Sequence, residues 1–280
     1  MKVRILIDST TDVTPDVRER VKVVPLTIRF GDEEYIDGVT ITHQQFYEKL
    51  VESDVLPTTS QATPDVFEQA FREAVEAGES VVAITLASKL SGTYQSAMIA
   101  AQDYAGKVFV VDSQTVTIGA GILAELALHL ADEGLSAAEI AEQITRERDH
   151  VRLIAMLDTL EYLKRGGRIS PTLAFAGGLL SIKPVVSLRE GAIEILGKAR
   201  GSKQGNNLLV KEIQNAGGVR FDKPLLLGYT GLSDALLQKY ITDSAFLWEG
   251  HVDTLSIEQV GSVVGTHAGP GAVAIAFFAQ

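Results

Sequence analysis

The 280-residue chain contains no cysteine. Disulfides and thiolate metal sites are therefore excluded, and a cytoplasmic location is expected. Long hydrophobic runs are also missing. No window of 18 residues is free of charged and polar groups, so neither a membrane span nor stable membrane insertion is expected. The N-terminal MKVRILIDST is apolar only briefly and meets Asp8 at once, unlike a signal peptide. His43, His129, His150, His251 and His267 are scattered and H-E-x-x-H does not occur, so no metal ion and no cofactor is expected. Positive charge is scarce as well, and a net charge of −11 argues against general nucleic-acid binding.

What charge there is lies unevenly. Residues 1–150 hold 12 Lys and Arg against 25 Asp and Glu, whereas residues 151–280 hold 13 against 11. Within 164–203 eight basic residues (Lys164, Arg165, Arg168, Lys183, Arg189, Lys198, Arg200 and Lys203) face two acidic ones. Such a set suits phosphate or an acidic partner, or else it is a solvated loop surface.

A hydrophobic content of 46% is ample for a core, and the length suits two domains or one large one. In the first half, short β-branched runs alternate with helix-like stretches. VRILI (3–7), KVVPLTI (22–28), SVVAITL (80–86) and KVFVV (107–111) read as strands, and DVFEQAFREAVEAG (65–78) and AGILAELALHLADEG (120–134) as amphipathic helices. Near-continuous apolar strands alternating with helices predict an α/β fold with a mostly parallel sheet covered on both faces. The second half repeats the theme less cleanly, with strands expected at 152–157, 184–188, 192–196, 224–229, 251–257 and 272–278. LKRGGRISP (163–171) is charged, glycine-bearing and proline-ended, which is boundary character. We divide the chain approximately into an N-terminal α/β domain, 1–158, and a C-terminal α/β domain, 159–280.

In sheets of this kind ligands bind beyond the carboxyl ends of the strands. Strands of the first half end in the polar loops Asp8-Ser9-Thr10-Thr11, Ser88 to Thr93 and Asp112-Ser113, and a further polar loop is PTTSQATPD (57–65). Asp8 and Asp112 read as structural, capping the loops that follow them. Thr63, Pro64 and Asp65 have the character of a helix start. Ser91-Gly92-Thr93 also precedes a helix, and unpaired N–H groups there suit an anion, unless the hydroxyls are ordinary caps. No G-x-S-x-G elbow is present, so nothing in the pattern marks Ser91 as a nucleophile, although pairing with His267 stays open. GAGILA (119–124) is a weak match to a dinucleotide fingerprint; Gly119 and Gly121 instead permit close helix packing or leave room for a ligand. GAIEILGKA (191–199) misses the phosphate-loop spacing and reads as a strand.

Ten short segments in order are specific where each alone is not. DSTTD (8–12), VPLTI (24–28), YIDG (35–38), PTTSQ (57–61), SGTYQSA (91–97), VDS (111–113), LEYLKRGGRIS (160–170), LLSIKPV (179–185), GKARGSKQ (197–204) and VGTHAGPGAVAIAF (264–277) together resemble the DegV family of bacterial fatty-acid-binding proteins from end to end. The resemblance implies two α/β domains with one long-chain fatty acid, such as palmitate, stearate or oleate, in a closed tunnel between them. It implies that Thr59, Ser60, Ser91, Gly92 and His267 hold the carboxylate. Arg168 and Arg200 match family arginines near the tunnel mouth, which serve the ATP-binding subunit of fatty acid kinase. That subunit makes an acyl phosphate for phospholipid synthesis, so this chain would be a non-catalytic carrier. Gly119, Ala120 and Gly121 are weaker candidates for lining the tunnel, and a monomer is expected. The alternatives are a hydrolase or small phosphotransferase using Ser91 and His267, and a lipid-sensing regulatory protein.

Overall fold

The computed structural model of the protein describes residues 2–170 and 182–280. Residues 179–181 of LLSIKPV and Pro171 of LKRGGRISP lie outside the described residues.

The first sheet has four parallel strands, β1 (Val3–Asp8), β2 (Lys22–Val24), β6 (Ser80–Thr85) and β7 (Val108–Asp112), in the order β2-β1-β6-β7. Every residue of β6 is buried, which is why its sequence shows no polar alternation. Ile5, Ile7, Val82 and Ile84 point to one face, where they meet α5 (Ile118–Asp132) and α6 (Ala137–Glu147). Leu6, Val81 and Ala83 point to the other, where they meet α3 (Pro64–Glu76) and α4 (Thr93–Ala100). Helix α1 (Pro15–Arg20) follows β1.

KVVPLTI is two strands, not one. Pro25 has no N–H to give a ladder, and the chain turns out of the parallel sheet there. It re-enters an antiparallel one as β3 (Thr27–Phe30), between β4 (Glu33–Ile36) and β5 (Thr58–Ser60). Part of PTTSQ, expected as loop, is therefore a short strand. Helix α2 (His43–Glu52) buries Phe46 and Tyr47 beneath this small sheet and opens with a reciprocal Thr42–Gln45 cap. Thr63 stands at the cap position of α3, with Pro64 and Asp65 in its first turn, but its side chain makes no capping bond.

The second sheet has six strands: β8 (Val151–Met156), β9 (Ile182–Arg189), β10 (Ala192–Arg200), β11 (Leu226–Tyr229), β12 (Ile257–Gln259) and β13 (Val273–Phe278). Their order is β10-β9-β8-β13-β11-β12, antiparallel except for β11 with β12. Helix α7 (Glu161–Arg165) follows β8, α8 (Gly201–Asn215) follows β10, α9 (Ala235–Asp243) follows β11, and α10 (Ser262–Ala268) follows β12. Two expectations need correction here. Residues 251–256 of HVDTLSI are not strand, and His251 instead stacks on Phe221 at 4.3 Å. The division at 158/159 separates β8 from its sheet, since β8 pairs with both β9 and β13.

Alternate residues of the second sheet face opposite ways. Ile154, Met156, Val185, Val273, Ile275 and Phe277 pack with Leu209 and Ile213 of α8 and Leu237 and Tyr240 of α9. Val151, Leu153, Leu226, Ala274, Ala276 and Phe278 share a cluster with α5. Helix α5 is thus a middle layer between two sheets, and 11 of its 15 residues are buried, too many for the amphipathic helix the sequence suggested. Close approach needs small residues: a Cβ on Gly121 would stand 2.1 Å from the carbonyl oxygen of Asp12.

That contact sets a test by sign. Gly→Ala inside a helix is ordinarily worth about 1 kcal/mol in favour of Ala. Here Gly121→Ala should destabilise by roughly 1–3 kcal/mol, because the clash is with backbone. Urea unfolding of both proteins measures it, and a stabilised variant would show that the two layers part easily.

Candidate functional site

A buried carboxylate fixes the loops at the strand ends. Asp8, with no exposed surface, accepts the Thr10 N–H at 2.9 Å, the Thr10 hydroxyl at 2.6 Å and the Leu86 N–H at 2.7 Å. Burial pushes its carboxyl above the ordinary range, and these hydrogen bonds oppose the shift. On the far side Asp112 accepts N–H groups from Ser88 at 3.1 Å and Gln114 at 2.9 Å. Loop 86–92 is thereby held from both neighbouring strands, and both acids are structural, as the sequence reading had them.

This loop sets Ser91 at the start of α4. Its Oγ lies 2.9 Å from Thr93 Oγ1 and accepts the Thr93 N–H at 3.3 Å. Gly92 leaves room for the Gln61 side chain, whose Oε1 would stand 2.0 Å from a Cβ there and would have to swing aside. Gln61 in turn donates to Ser96 Oγ at 3.1 Å. The PTTSQ and SGTYQSA segments, far apart in sequence, thus meet through a glycine and a glutamine.

The second half supplies the rest. Thr59 Oγ1 and His267 Nε2, on β5 and α10, lie 2.9 Å apart. His267 Nδ1 is buried without a hydrogen-bond partner. Burial, and next the Arg168 charge, push His267 down to about 4, so its ring is neutral at pH 7. Arg168 donates from Nε to Leu90 O at 3.2 Å and from Nη1 to Gly166 O at 2.6 Å, tying the Ser91 loop to the turn after α7.

Thr59, Ser60, Ser91, Arg168 and His267 all line one cavity, with Gln61, Thr10 and Thr117. Counting the solvent at its mouth, the cavity takes in about 970 Å³ of atom-free space. Its remaining walls are almost wholly apolar. Leu153 and Ala155 come from β8, Val186 and Leu188 from β9, Ile193 from β10, and Ala272 and Ala274 from the β13 segment. The void lies between the second sheet, the Thr59–Ser60 strand and the loops at the carboxyl ends of the first sheet.

Thr117 is strained. Its φ of 50° and ψ of −132° are rarely adopted by a β-branched residue. The conformation is held from two sides: its N–H donates to Thr10 O at 3.0 Å and its hydroxyl to Asp12. The other Asp12 oxygen accepts the Gly261 N–H at 2.9 Å. Burial pushes Asp12 up to about 7.

The structure does not gather every residue singled out in the sequence. Arg200 is exposed at the end of β10 and outside the cavity lining. Gly119, Ala120 and Gly121 are also outside it, buried in α5; a Cβ on Gly119 would stand 3.3 Å from Leu153 Cβ. The second-sheet walls and Gln61 went unread. The available signal was the alternation along β8 and β9. Ser91 and His267 are each hydrogen-bonded elsewhere, to Thr93 and to Thr59, and no carboxylate orients the ring. A histidine held near 4 is a poor general base at neutral pH, so the geometry disfavours a Ser–His hydrolase.

Among the described residues no cluster of three or more His, Asp or Glu has metal-binding geometry, and no helix is long and apolar enough to cross a membrane.

Comparison with known proteins gives a consistent picture. The family model described as "Uncharacterised protein, DegV family" matches residues 2–280. A DegV domain-containing protein of Caldanaerobacter subterraneus is 35% identical over 280 residues, covering 99% of this chain and 98% of the relative. A fatty-acid-binding DegV family protein from Thermus thermophilus superposes with a TM-score of 0.89 at 33% identity, covering 100% of both chains. A stearic acid-binding protein from Eubacterium ventriosum superposes with a TM-score of 0.88 at 26% identity, over 99% and 98%. The fatty acid kinase B3 protein of Streptococcus pneumoniae, loaded with linoleic acid, shares the fold with a TM-score of 0.86 at 24% identity, covering 100% of both chains.

The neutral histidine makes a pH prediction. Its folded value of about 4 lies below the ordinary 6.5, so between these the folded state binds fewer protons than the unfolded one. Its contribution is therefore lost as pH falls from 6.5 towards 4 and is level below that. Chemical unfolding at pH 7 and pH 4.5 should show a smaller loss of stability in His267→Gln than in the parent. An equal loss would mean that His267 titrates alike in the folded and unfolded states.

Proposed function

Because the chain belongs to the DegV family, we propose that it is a lipid-binding protein that holds one long-chain fatty acid in this cavity. Its carboxylate would lie among Thr59, Ser60, Ser91, Gly92 and His267. The observation that carries this reading is the cavity itself: apolar walls from the second sheet, and hydroxyls and a neutral imidazole from segments of both halves. The Thermus and Eubacterium relatives, described as binding fatty acid and stearic acid, support the ligand class.

The energetics suit that ligand. A C16 acid has 14 methylenes, and at ~0.8 kcal/mol each their burial is worth roughly 11 kcal/mol before ordering costs. A carboxylate buried together with such a chain is unfavourable unless hydrogen-bonded. Thr59 and Ser91 offer O–H donors, the neutral His267 one N–H, and the start of α4 its unpaired backbone N–H groups.

We further propose that the bound acid is presented to an ATP-binding kinase subunit. A carboxylate oxygen attacks the γ-phosphorus, the bond to the β-phosphate oxygen breaks, and ADP leaves an acyl phosphate behind. Arg168, beside the polar cluster, would stabilise charge on the incoming phosphate, and exposed Arg200 would contact the partner. This step rests on the resemblance of the GGRI and GKARG segments to the family pattern, since the likeness to the Streptococcus kinase protein carries the fold alone.

Native mass spectrometry before and after denaturation tests the ligand class. One bound mass per chain, released as a C14–C18 acid, is expected. A lipid-free protein that also takes up neither palmitate nor oleate would sink the carrier reading. Ser91→Ala and Thr59→Val should each weaken binding about tenfold or more, the cost of one charge-assisted hydrogen bond.

The presentation step has its own test. Arg200→Ala should bind fatty acid like the parent yet lose phosphorylation by a kinase subunit. Full phosphorylation would remove Arg200 from the partner contact. Tight lipid binding with no phosphorylation of the parent by any kinase subunit would favour a lipid-sensing regulator.

A further inference from the structure

Loop 8–12 separates two cavities. Thr10 lines the fatty-acid cavity, while Ser9, Thr11 and Asp12 line a second one on its other side. The second cavity is closed by Asp37 and Gly38 after β4, Thr42 and His43 at the start of α2, and Glu258 and Gln259 of β12, with the exposed Arg18 of α1 at its rim. With its mouth it holds about 770 Å³ of atom-free space.

Its polar groups are not balanced. Three carboxylates, Asp12, Asp37 and Glu258, come from separate elements of both halves. Asp12 is satisfied by Thr117 and Gly261. Asp37 is 2% exposed and neither of its oxygens has a partner in good hydrogen-bond geometry; the Ser9 and Ser262 hydroxyls lie near enough to lower its carboxyl by hydrogen bonding but do not close on it. Independently, Thr11 is 3% exposed and its Oγ1 also has no partner. Unsatisfied buried acceptors of this kind are rare and call for a donor. A single metal ion is not that donor, because these side chains do not close to metal-binding geometry. An ammonium group is suited to it. It carries three N–H donors and one positive charge, against three partnerless oxygens, Asp37 Oδ1, Asp37 Oδ2 and Thr11 Oγ1, in an acidic cavity.

We propose that this second cavity binds a small primary ammonium ion, an alkylamine or amino alcohol, held by Asp37 and Thr11 in the negative field of Asp12 and Glu258. Protonation agrees with this assignment. Burial first, and then neighbouring acid charge, push Asp12 and Glu258 up to about 7. Asp37 is raised by burial, against lowering influences that include His43 and Arg18. Asp16 acts on Glu258, and Tyr47, whose hydroxyl donates to Val260 O at 2.9 Å, faces Asp12. An arriving ammonium favours the ionised carboxylates, so its binding expels protons near neutral pH.

Calorimetry on the full chain at pH 8, with potassium chloride matching ionic strength, decides the matter. Ethanolamine and methylammonium should bind saturably at one site, releasing protons in buffers of different ionisation enthalpy. Tetramethylammonium, which has the charge but no N–H donor, should bind at least about tenfold more weakly. Asp37→Asn and Thr11→Val should each weaken ethanolamine binding by about tenfold or more. If Asp37→Asn does not fold, Thr11→Val and the tetramethylammonium comparison still decide. No saturable binding of either amine, equal binding of tetramethylammonium, or binding unchanged in the folded variants overturns the proposal.

Discussion

The cavity depends on one carboxylate that has no countercharge. Asp8 ends a strand buried on both faces and is itself wholly buried, so it persists only because three donors converge on it. Those donors belong to its own loop and to the loop after β6, so satisfying Asp8 sets their separation. Everything polar at the mouth of the void then follows: Ser91 is placed by the held loop, Arg168 reaches back to Leu90, and Gly92 leaves Gln61 room to bring in the Thr59 strand. Such loops would otherwise be the most adaptable part of an α/β sheet.

The polar cluster is also notable for its neutrality. Thr59, Ser60, Ser91 and an uncharged His267 line the void, and the one cation among them, Arg168, spends two of its donors on backbone carbonyls. A lysine in their place would bind a carboxylate more firmly but would also withdraw its electrons and blunt it as a nucleophile. Hydroxyl and imidazole donors, on the proposed reading, would hold one while leaving an oxygen reactive. The second cavity makes the opposite use of charge, gathering carboxylates behind the same short loop.

Much of this was legible in the sequence, for physical reasons that also mark where legibility ended. The apolar runs of β1, β6 and β7 announced a sheet covered on both faces, because both faces are covered. The hydroxyl loops were legible because Ser, Thr and Gly at strand ends and helix starts have few other uses. Pro25 was read through, although its missing N–H is what splits β2 from β3. Gly119 and Gly121 looked equally like room for a ligand or for a helix, and only the Asp12 carbonyl and the Leu153 side chain decide for packing. Ala155, Ala272 and Ala274 border empty space, but an alanine in a strand carries no mark of what it faces. The antiparallel second sheet was obscured because β8 precedes by some distance the partners that give it a sheet.

That last feature bears on biosynthesis. Strand β13 follows every other strand of the second sheet in sequence, yet it lies in the interior, between β8 and β11. As the chain leaves the ribosome, β8 has no partner on that side until β13 emerges, and the face of α5 that meets Ala276 and Phe278 stays bare. The first sheet can condense early on local βαβ contacts, but the cavity comes into being only once β13 has emerged. A nascent chain therefore passes through a long interval with a greasy helix uncovered, the kind of species that chaperones bind. A ligand could enter the cavity only after β13 has joined its sheet.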